Sequence, residues 1–338
     1  MPSAFSATVL AGLLETRHRI AAVILPAPPL PGPALQALAP QHSSSLLQAE
    51  MPNVLDLAAQ RAIPVYALRR PLANQVVTLL QSHSPEAICV ACFPWRIPPA
   101  LLTLPRFGFW NVHPSLLPAH RGPEPLFWAL RCGDLGVTIH RIDEDFDTGP
   151  LAVQEAFAID DTLSWQSCER AAAERGVQLL NDTLDRLGAG TTALRPQRGD
   201  VSYAPPPSPA DFALDPGWSA QHAFRFMRGT AWWQQPYTLL HGAKHLQVTQ
   251  AIGYDLEATI ADSFRAKDGQ FALRFNPGVL FARGPVSLLH CKDAEFGWVQ
   301  HAAPLRRWVR AQCAGCWPQR VGLIRSVLYA LCPTPPRG

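Results

Sequence analysis

Asn111 and His113 stand two residues apart in the run F-W-N-V-H-P-S-L-L-P-A-H-R-G that begins at Phe109. On a β-strand that spacing puts both side chains on one face. Pro114 and Pro118 forbid ordinary continuation of the strand and predict an irregular loop at its end. A second run, R-I-D-E-D-F-D-T-G-P, brings a carboxylate at Asp147. An amide, an imidazole and a carboxylate held at a strand end can polarise a carbonyl and move a proton. Taken singly, Asn111 reads as a turn residue and His113 as a core histidine. Their joint appearance with Ser115–Pro118, Arg121-Gly122 and Asp147-Thr148-Gly149 favours chemistry over either. Ser115 is expected to bond the loop backbone rather than act as a nucleophile.

The patterns N-V-H-P-S-L-L-P-x-x-R-G and G-V-T-I-H-R-I-D-x-x-F-D-T-G resemble those of the folate-dependent formyltransferases. The layout is most similar to the branch that formylates methionyl-tRNA. The resemblance runs from about Ser3 to Ala204 and is sharpest at Asn111–Gly122 and Val137–Gly149. It implies 10-formyltetrahydrofolate as formyl donor, no required metal, and Asn111, His113 and Asp147 in the catalytic positions. Asn111 would donate to the oxyanion, His113 would donate to the same oxygen or take the amine proton, and Asp147 would orient the imidazole. Binding positions implied alongside are Ser115, Leu116, Leu117, Pro118 and Arg121, with Arg121 either touching substrate or pinning the loop. The pterin slot would fall at Phe93–Ile97 and the loop from Ile142, with Phe93, Trp95, Arg96 and Ile142 as walls. For the two aromatics a plain core role competes. Asp143, Glu144 and Asp145 are expected in the solvated loop.

Strands alternating with helices around these motifs predict an α/β fold with a Rossmann-like doubly wound parallel sheet. Expected strands are Ile20–Leu25, Ile63–Ala67, Ala87–Phe93, Gly108–His113, Val137–Ile142 and Pro150–Ala156. Expected helices are Pro52–Arg61 (capped by Asn53), Ala73–His83, Pro98–Leu104, Pro123–Cys132 and Ser164–Leu187. An amphipathic helix is expected from near Ser3. Pro26–Pro40 packs six prolines into fifteen uncharged residues and reads as a stiff loop. In the formyltransferase pattern a first strand with a glycine turn precedes the helix near Ser3, and this chain holds no residues for it. Either the start is truncated or misassigned, or another segment fills the gap.

The domains are expected at 1–204 (catalytic), 205–217 (a Pro-rich linker) and 218–338. A helix is predicted over Trp218–Arg228, capped by Ser219. Alternating runs follow at Tyr237–Leu240, His245–Ala251, Phe271–Phe275, Val279–Ala282, Val286–His290 and Gly297–Gln300, suggesting a small β-barrel, which the resemblance implies is OB-like. Leu305–Arg310 and Val321–Leu331 read as a closing helical tail. Trp232-Trp233 would either stack on bases or seal a contact between domains.

No run of 18 apolar residues appears and the start lacks a basic secretory region, so a cytoplasmic protein without a membrane span is expected. The eight cysteines then read as reduced thiols. Cys89-Val-Ala-Cys92 suits core packing. Cys313-Ala-Gly-Cys316 has zinc-knuckle spacing, but only His290, Cys291 and Cys332 lie near as further ligands, so free thiols are favoured. Residues 1–205 hold 15 Lys/Arg against 18 Asp/Glu, net −3, and residues 206–338 hold 14 against 8, net +6. A basic second half suits tRNA as a partner beside folate. Against tRNA stands Pro26–His42, without one cation for a phosphate. A small amine, such as an amino sugar on a nucleotide, is the second reading, and a non-catalytic folate-binding relative is the third.

Overall fold

The computed structural model describes residues 4–27, 32–39, 53–69, 74–241, 244–267, 269–284, 288–292, 295–297 and 327–332. The chain forms two compact units, one of Met1–Ala158, Gln166–Pro206 and Ile324–Gly338, the other of Ile159–Trp165 and Pro207–Leu323. The first contains β1 (Arg19–Pro26), β2 (Leu35–Leu38), β3 (Val65–Leu68), β4 (Ala87–Ala91), β5 (Phe109–His113), β6 (Gly136–Arg141) and β7 (Leu151–Ala156). Its helices are α1 (Ala4–Leu14), α2 (Val54–Gln60), α3 (Asn74–His83), α4 (Pro99–Leu102), α5 (Pro125–Cys132) and α6, which opens at Trp165 and runs to Gly188. Asn53 caps α2 as expected, its side chain accepting from the Leu55 N–H at 3.0 Å.

The second unit holds β8 (Ala213–Leu214), α7 (Ala220–Thr230), β9 (Tyr237–His241), β10 (Lys244–Val248), β11 (Gln250–Asp255), β12 (Phe264–Lys267), β13 (Gln270–Arg274), β14 (Val279–Arg283), β15 (Leu288–Lys292) and β16 (Glu295–Gly297). They build two sheets, β16-β15-β10-β9-β8 and β11-β14-β13-β12. The run His245–Ala251 is therefore two strands in different sheets, broken at Thr249, and β12 is a strand the alternation did not disclose. Phe212, Phe226 and Tyr237 pack together, and the Tyr237 hydroxyl donates to the Met227 carbonyl at 2.8 Å. Trp233 lies edge-on to Trp165 at 4.4 Å within this unit, while Trp232 is exposed. Leu305–Arg310, Cys313 and Cys316 lie outside the described residues.

A last strand, β17 (Val327–Cys332), returns to the first unit. The sheet there runs β2-β3-β1-β17-β4-β5-β6-β7. It is mixed rather than wholly parallel. Only β1 with β3 and β4 with β5 pair in parallel, while β17, β2, β6 and β7 pair with their neighbours antiparallel. β17 lies in the interior of the sheet between β1 and β4, matching Ile20 to Leu331 on one side and Ala91 to Val327 on the other. The helix expected over Val321–Leu331 is thus corrected at residues 327–331, while residues 321–326 lie outside the described residues. V-L-Y-A-L-C is too short for its apolar pattern to separate helix from strand, and unpaired N–H and C=O groups on both neighbours favour the strand. Leu35–Leu38 corrects the expected Pro26–Pro40 loop in the same way: free of proline, it pairs with β3 as the edge.

Both faces of the sheet are covered, which explains the apolar runs of β1 and β4. Val23, Cys89, Trp110 and Val112 join Leu10, Leu13, Ala172 and Leu180 of α1 and α6 in one core. The alternate residues Ile24, Val90 and Phe109 join Leu79, Leu80 and Leu101 of α3 and α4 in the other. Gly176 lets α6 lie close on β5, since a Cβ there would fall 2.4 Å from Val112 Cγ1. Among the described residues no helix is long and apolar enough to cross a membrane.

Candidate active site

β5 carries Asn111 and His113 on the face opposite α6, and its antiparallel neighbour β6 sets His140 directly across from Asn111. The Asn111 amide Nδ2 lies 3.1 Å from His140 Nε2 and donates to Asp147 Oδ1 at 3.3 Å. His140 Nδ1 lies 3.1 Å from the Arg141 carbonyl, which can only accept, so that nitrogen carries the hydrogen in the neutral ring. His140 Nε2 is then the acceptor for Asn111. His113 Nε2 lies 2.9 Å from the His120 carbonyl and donates to it. That bond leaves His113 Nδ1 as the lone pair, 3.5 Å from Asp147 Oδ1.

Asp147 is the hub. Its Oδ2 accepts from the Gly122 N–H at 2.9 Å, while Oδ1 faces Asn111, His113 and, at 3.6 Å, His140. The residue sits in the left-handed region at φ 56°, costly for a side chain with a Cβ and tolerated where surrounding bonds hold it. Gly149 closes the same turn, because a Cβ there would come 1.8 Å from the Arg141 carbonyl oxygen.

Burial withholds water from the His113 imidazole and lowers its pKa, against the opposing pull of the Asp147 charge; His140 lowers it further. Burial also resists ionisation of Asp147, yet His113, His140 and the Gly122 N–H outweigh it and hold the carboxyl well below the usual range. At neutral pH the site therefore presents a carboxylate beside a neutral imidazole.

The loop after β5 is bonded throughout. Ser115 Oγ donates to the Ala119 carbonyl at 2.7 Å, and Thr138 Oγ1 donates to the Ser115 carbonyl at 2.6 Å and accepts from the Leu117 N–H at 3.2 Å. Leu117 and Pro118 are buried, and Leu116 lies where a Cβ on Gly136 would meet it at 2.4 Å. Arg121 donates to Gln197 Oε1 from Nε at 3.2 Å and from a terminal nitrogen at 2.6 Å. Phe93 and Trp95 meet edge to face at 5.5 Å and, with Ile142, pack half-buried against the core of Ile97, Leu101 and Phe109. Arg96 pairs with Asp145 at 2.9 Å, both exposed, and its guanidinium stands 5.6 Å from the Phe146 ring centre. Asp143 accepts from Thr148 Oγ1 at 2.6 Å.

The structure thus gathers Asn111, His113 and Asp147, and it keeps Arg96 at an exposed rim. It adds His140 and Gln197, which the sequence reading did not single out. The signal for His140 was partial: it alternates with Thr138 on an expected strand, but its place opposite Asn111 comes from the pairing of β5 with β6. As for metals, His120, Cys132 and Asp134 bring ligand-type atoms within 4.8 Å of one another. There His120 Nε2 is already bonded to both Asp134 oxygens, at 2.9 and 3.0 Å.

Residues 5–184 match the family described as formyl transferase, and the chain belongs to that family. Among curated relatives, a methionyl-tRNA formyltransferase of Thermodesulfovibrio yellowstonii is 32% identical over 60% of this chain and 65% of its own. One of Acidobacterium capsulatum is 32% identical over 71% of this chain and 75% of its own. The chain therefore spans just under two thirds of the first relative's length. A solved N-formyltransferase of Helicobacter canadensis, in complex with folinic acid and dTDP-3-aminofucose, is 14% identical with a TM-score of 0.45, covering 69% of this chain and 83% of that one.

Proposed function

We propose that this chain transfers the formyl group of 10-formyltetrahydrofolate to an amine, the methionyl amino group of initiator methionyl-tRNA. The observation that carries the reading is the convergence of Asn111, His113 and His140 on the Asp147 carboxylate in a chain of this family. The amine nitrogen attacks the formyl carbon, forming the new C–N bond, and the carbonyl oxygen takes the electron pair. His113 Nδ1, unprotonated and beside Asp147, accepts the amine proton, and the imidazolium is stabilised by that carboxylate. Asn111 has both amide hydrogens engaged; the longer bond, to Asp147, yields one to the oxyanion. One such donor is worth about 3 kcal/mol of barrier. Collapse breaks the bond to N10 of the folate, and the proton on His113 passes to that nitrogen, releasing tetrahydrofolate.

Phe93, Trp95 and Ile142 offer the apolar wall for a pterin, with Arg96 at its rim. Leu116, Leu117, Pro118 and the Arg121 loop would border the amine and formyl groups. The first unit is then the catalytic domain. The short, mostly antiparallel strands of the second, with α7, support an OB-like reading of that unit. Support for tRNA comes from the relatives' names and from the +6 charge of residues 206–338. The uncharged Pro26–His42 stretch favours the second reading, an amino sugar on a nucleotide.

Competing the two acceptors decides between them. With methionyl-tRNA, affinity should fall steeply with salt, each neutralised phosphate adding roughly 0.7–0.9 to the log–log slope. Charge reversal at Arg306, Arg307 or Arg310 should weaken that binding and spare folate. Salt-independent turnover of a nucleotide-linked amino sugar, with no tRNA affinity, would replace the tRNA reading.

A further inference from the structure

We infer that Gln197 is a positioning residue that fixes the Asp147 carboxylate against His113. Gln197 lies past residue 184, where the family match ends. An isolated antiparallel bridge between Arg195 and Leu151, with N–H···O distances of 2.8 and 3.0 Å, delivers it to the turn before β7. There its amide is fully used. Nε2 donates to the Asp147 and Gly149 carbonyls, both at 2.8 Å, and Oε1 accepts the two Arg121 bonds.

The arrangement admits one orientation. Backbone carbonyls only accept and a guanidinium only donates, so a flipped amide would face like against like on both sides. Gln197 thereby clamps the carbonyls on either side of Thr148 and ties them to Arg121. Arg121 is itself anchored, its N–H donating to the Ser202 carbonyl at 3.0 Å. The clamped turn contains Asp147 at φ 56°, a conformation an unsupported aspartate leaves readily. Relaxation there would carry Oδ1 away from His113 Nδ1, now at 3.5 Å. Three titratable groups face His113: Asp147, His140 and His120. Gln197 bonds to none of their side chains, so its loss should act through the position of Asp147.

The test replaces Gln197 by Met, which keeps the length and removes every polar bond, and follows the His113 imidazole by NMR titration without substrate. Asp147 raises the proton affinity of His113, so its withdrawal should move the His113 titration to lower pH, by about half a unit. Turnover should fall about tenfold or more while KM for 10-formyltetrahydrofolate stays within about twofold. Gln197→Glu retains the Arg121 contact but sets a carboxylate oxygen against two carbonyls. It should show the same split of kcat from KM, and it serves if Gln197→Met does not fold. The inference is overturned if His113 titrates as in the parent and kcat holds in either folded variant. It is also overturned if kcat and KM worsen together in step with Tm. The kinetic arm rests on the formyl-transfer reading, whereas the NMR arm does not. A parent protein without turnover would sink that reading and leave the titration to decide this one.

Discussion

Asn111 and His140 are cross-strand partners whose side chains meet at 3.1 Å, and the imidazole accepts the hydrogen that the amide donates. The pair turns the Asn111 amide so that its second hydrogen reaches Asp147. His140→Ala should remove the acceptor and free the amide to rotate. Turnover is expected to fall about tenfold to a hundredfold with KM for the folate little changed, the pattern of an interaction made in the transition state. Steady-state kinetics with both substrates varied checks it; a rise in KM alone would assign His140 to substrate binding.

The depressed pKa of His113 fixes the sign of a pH effect. Its folded value lies below 6.5, so the neutral base persists at and somewhat below that pH. Activity should hold as pH falls through 6.5 and drop only at the lower folded pKa, where the base is protonated. Asp147, held below the usual carboxylate range, stays charged across that window. An acid limb at or above 6.5 in kcat/KM would contradict the assignment.

β17 should be as important to stability as its interior place implies. Ala330 pairs with Ala22 on one side and Ile88 on the other. Ala330→Pro removes an N–H and opposes a central strand, at a cost of about 3 kcal/mol. A unit of this size should lose roughly 6–12 °C in Tm, measurable by calorimetry. An unchanged Tm would say that the strand adds nothing.

Gly149→Ala tests the Asp147 turn. A methyl 1.8 Å from the Arg141 carbonyl must displace one of the two backbones. The expected loss is more than about 2 kcal/mol of stability together with turnover, because the displaced turn carries Asp147. Chemical denaturation beside kinetics checks both; a variant with parental stability would show that the turn yields freely.

Legibility in the sequence followed the range of the interaction. Asn111 and His113 could be placed because strand alternation is local, and the prolines around them mark the strand's end within a few residues. Ile24 and Val23 facing opposite cores follows from the same period of two. β17 was hidden because its apolar hexapeptide fits a helix as well as a strand, and its partners lie some 240 to 310 residues earlier. Together with the antiparallel β2, β6 and β7, it makes a mixed sheet of one expected to be parallel. The role of His140 depends on which strand pairs beside β5, and Gln197 reaches Asp147 across fifty residues without any periodic pattern. Proline density concealed β2, since four proline-free residues inside a proline-rich stretch carry little signal.

The central claim is that His113, backed by Asp147, removes the amine proton during formyl transfer. Its most direct measurement is release of tetrahydrofolate from 10-formyltetrahydrofolate, with and without methionyl-tRNA or an amino sugar on a nucleotide, by the parent protein and by His113→Ala. Acceptor-dependent release by the parent, reduced at least about a hundredfold in His113→Ala with folate affinity largely spared, is the predicted result. No release with either acceptor from a folded, folate-binding parent, or full turnover in His113→Ala, would contradict it.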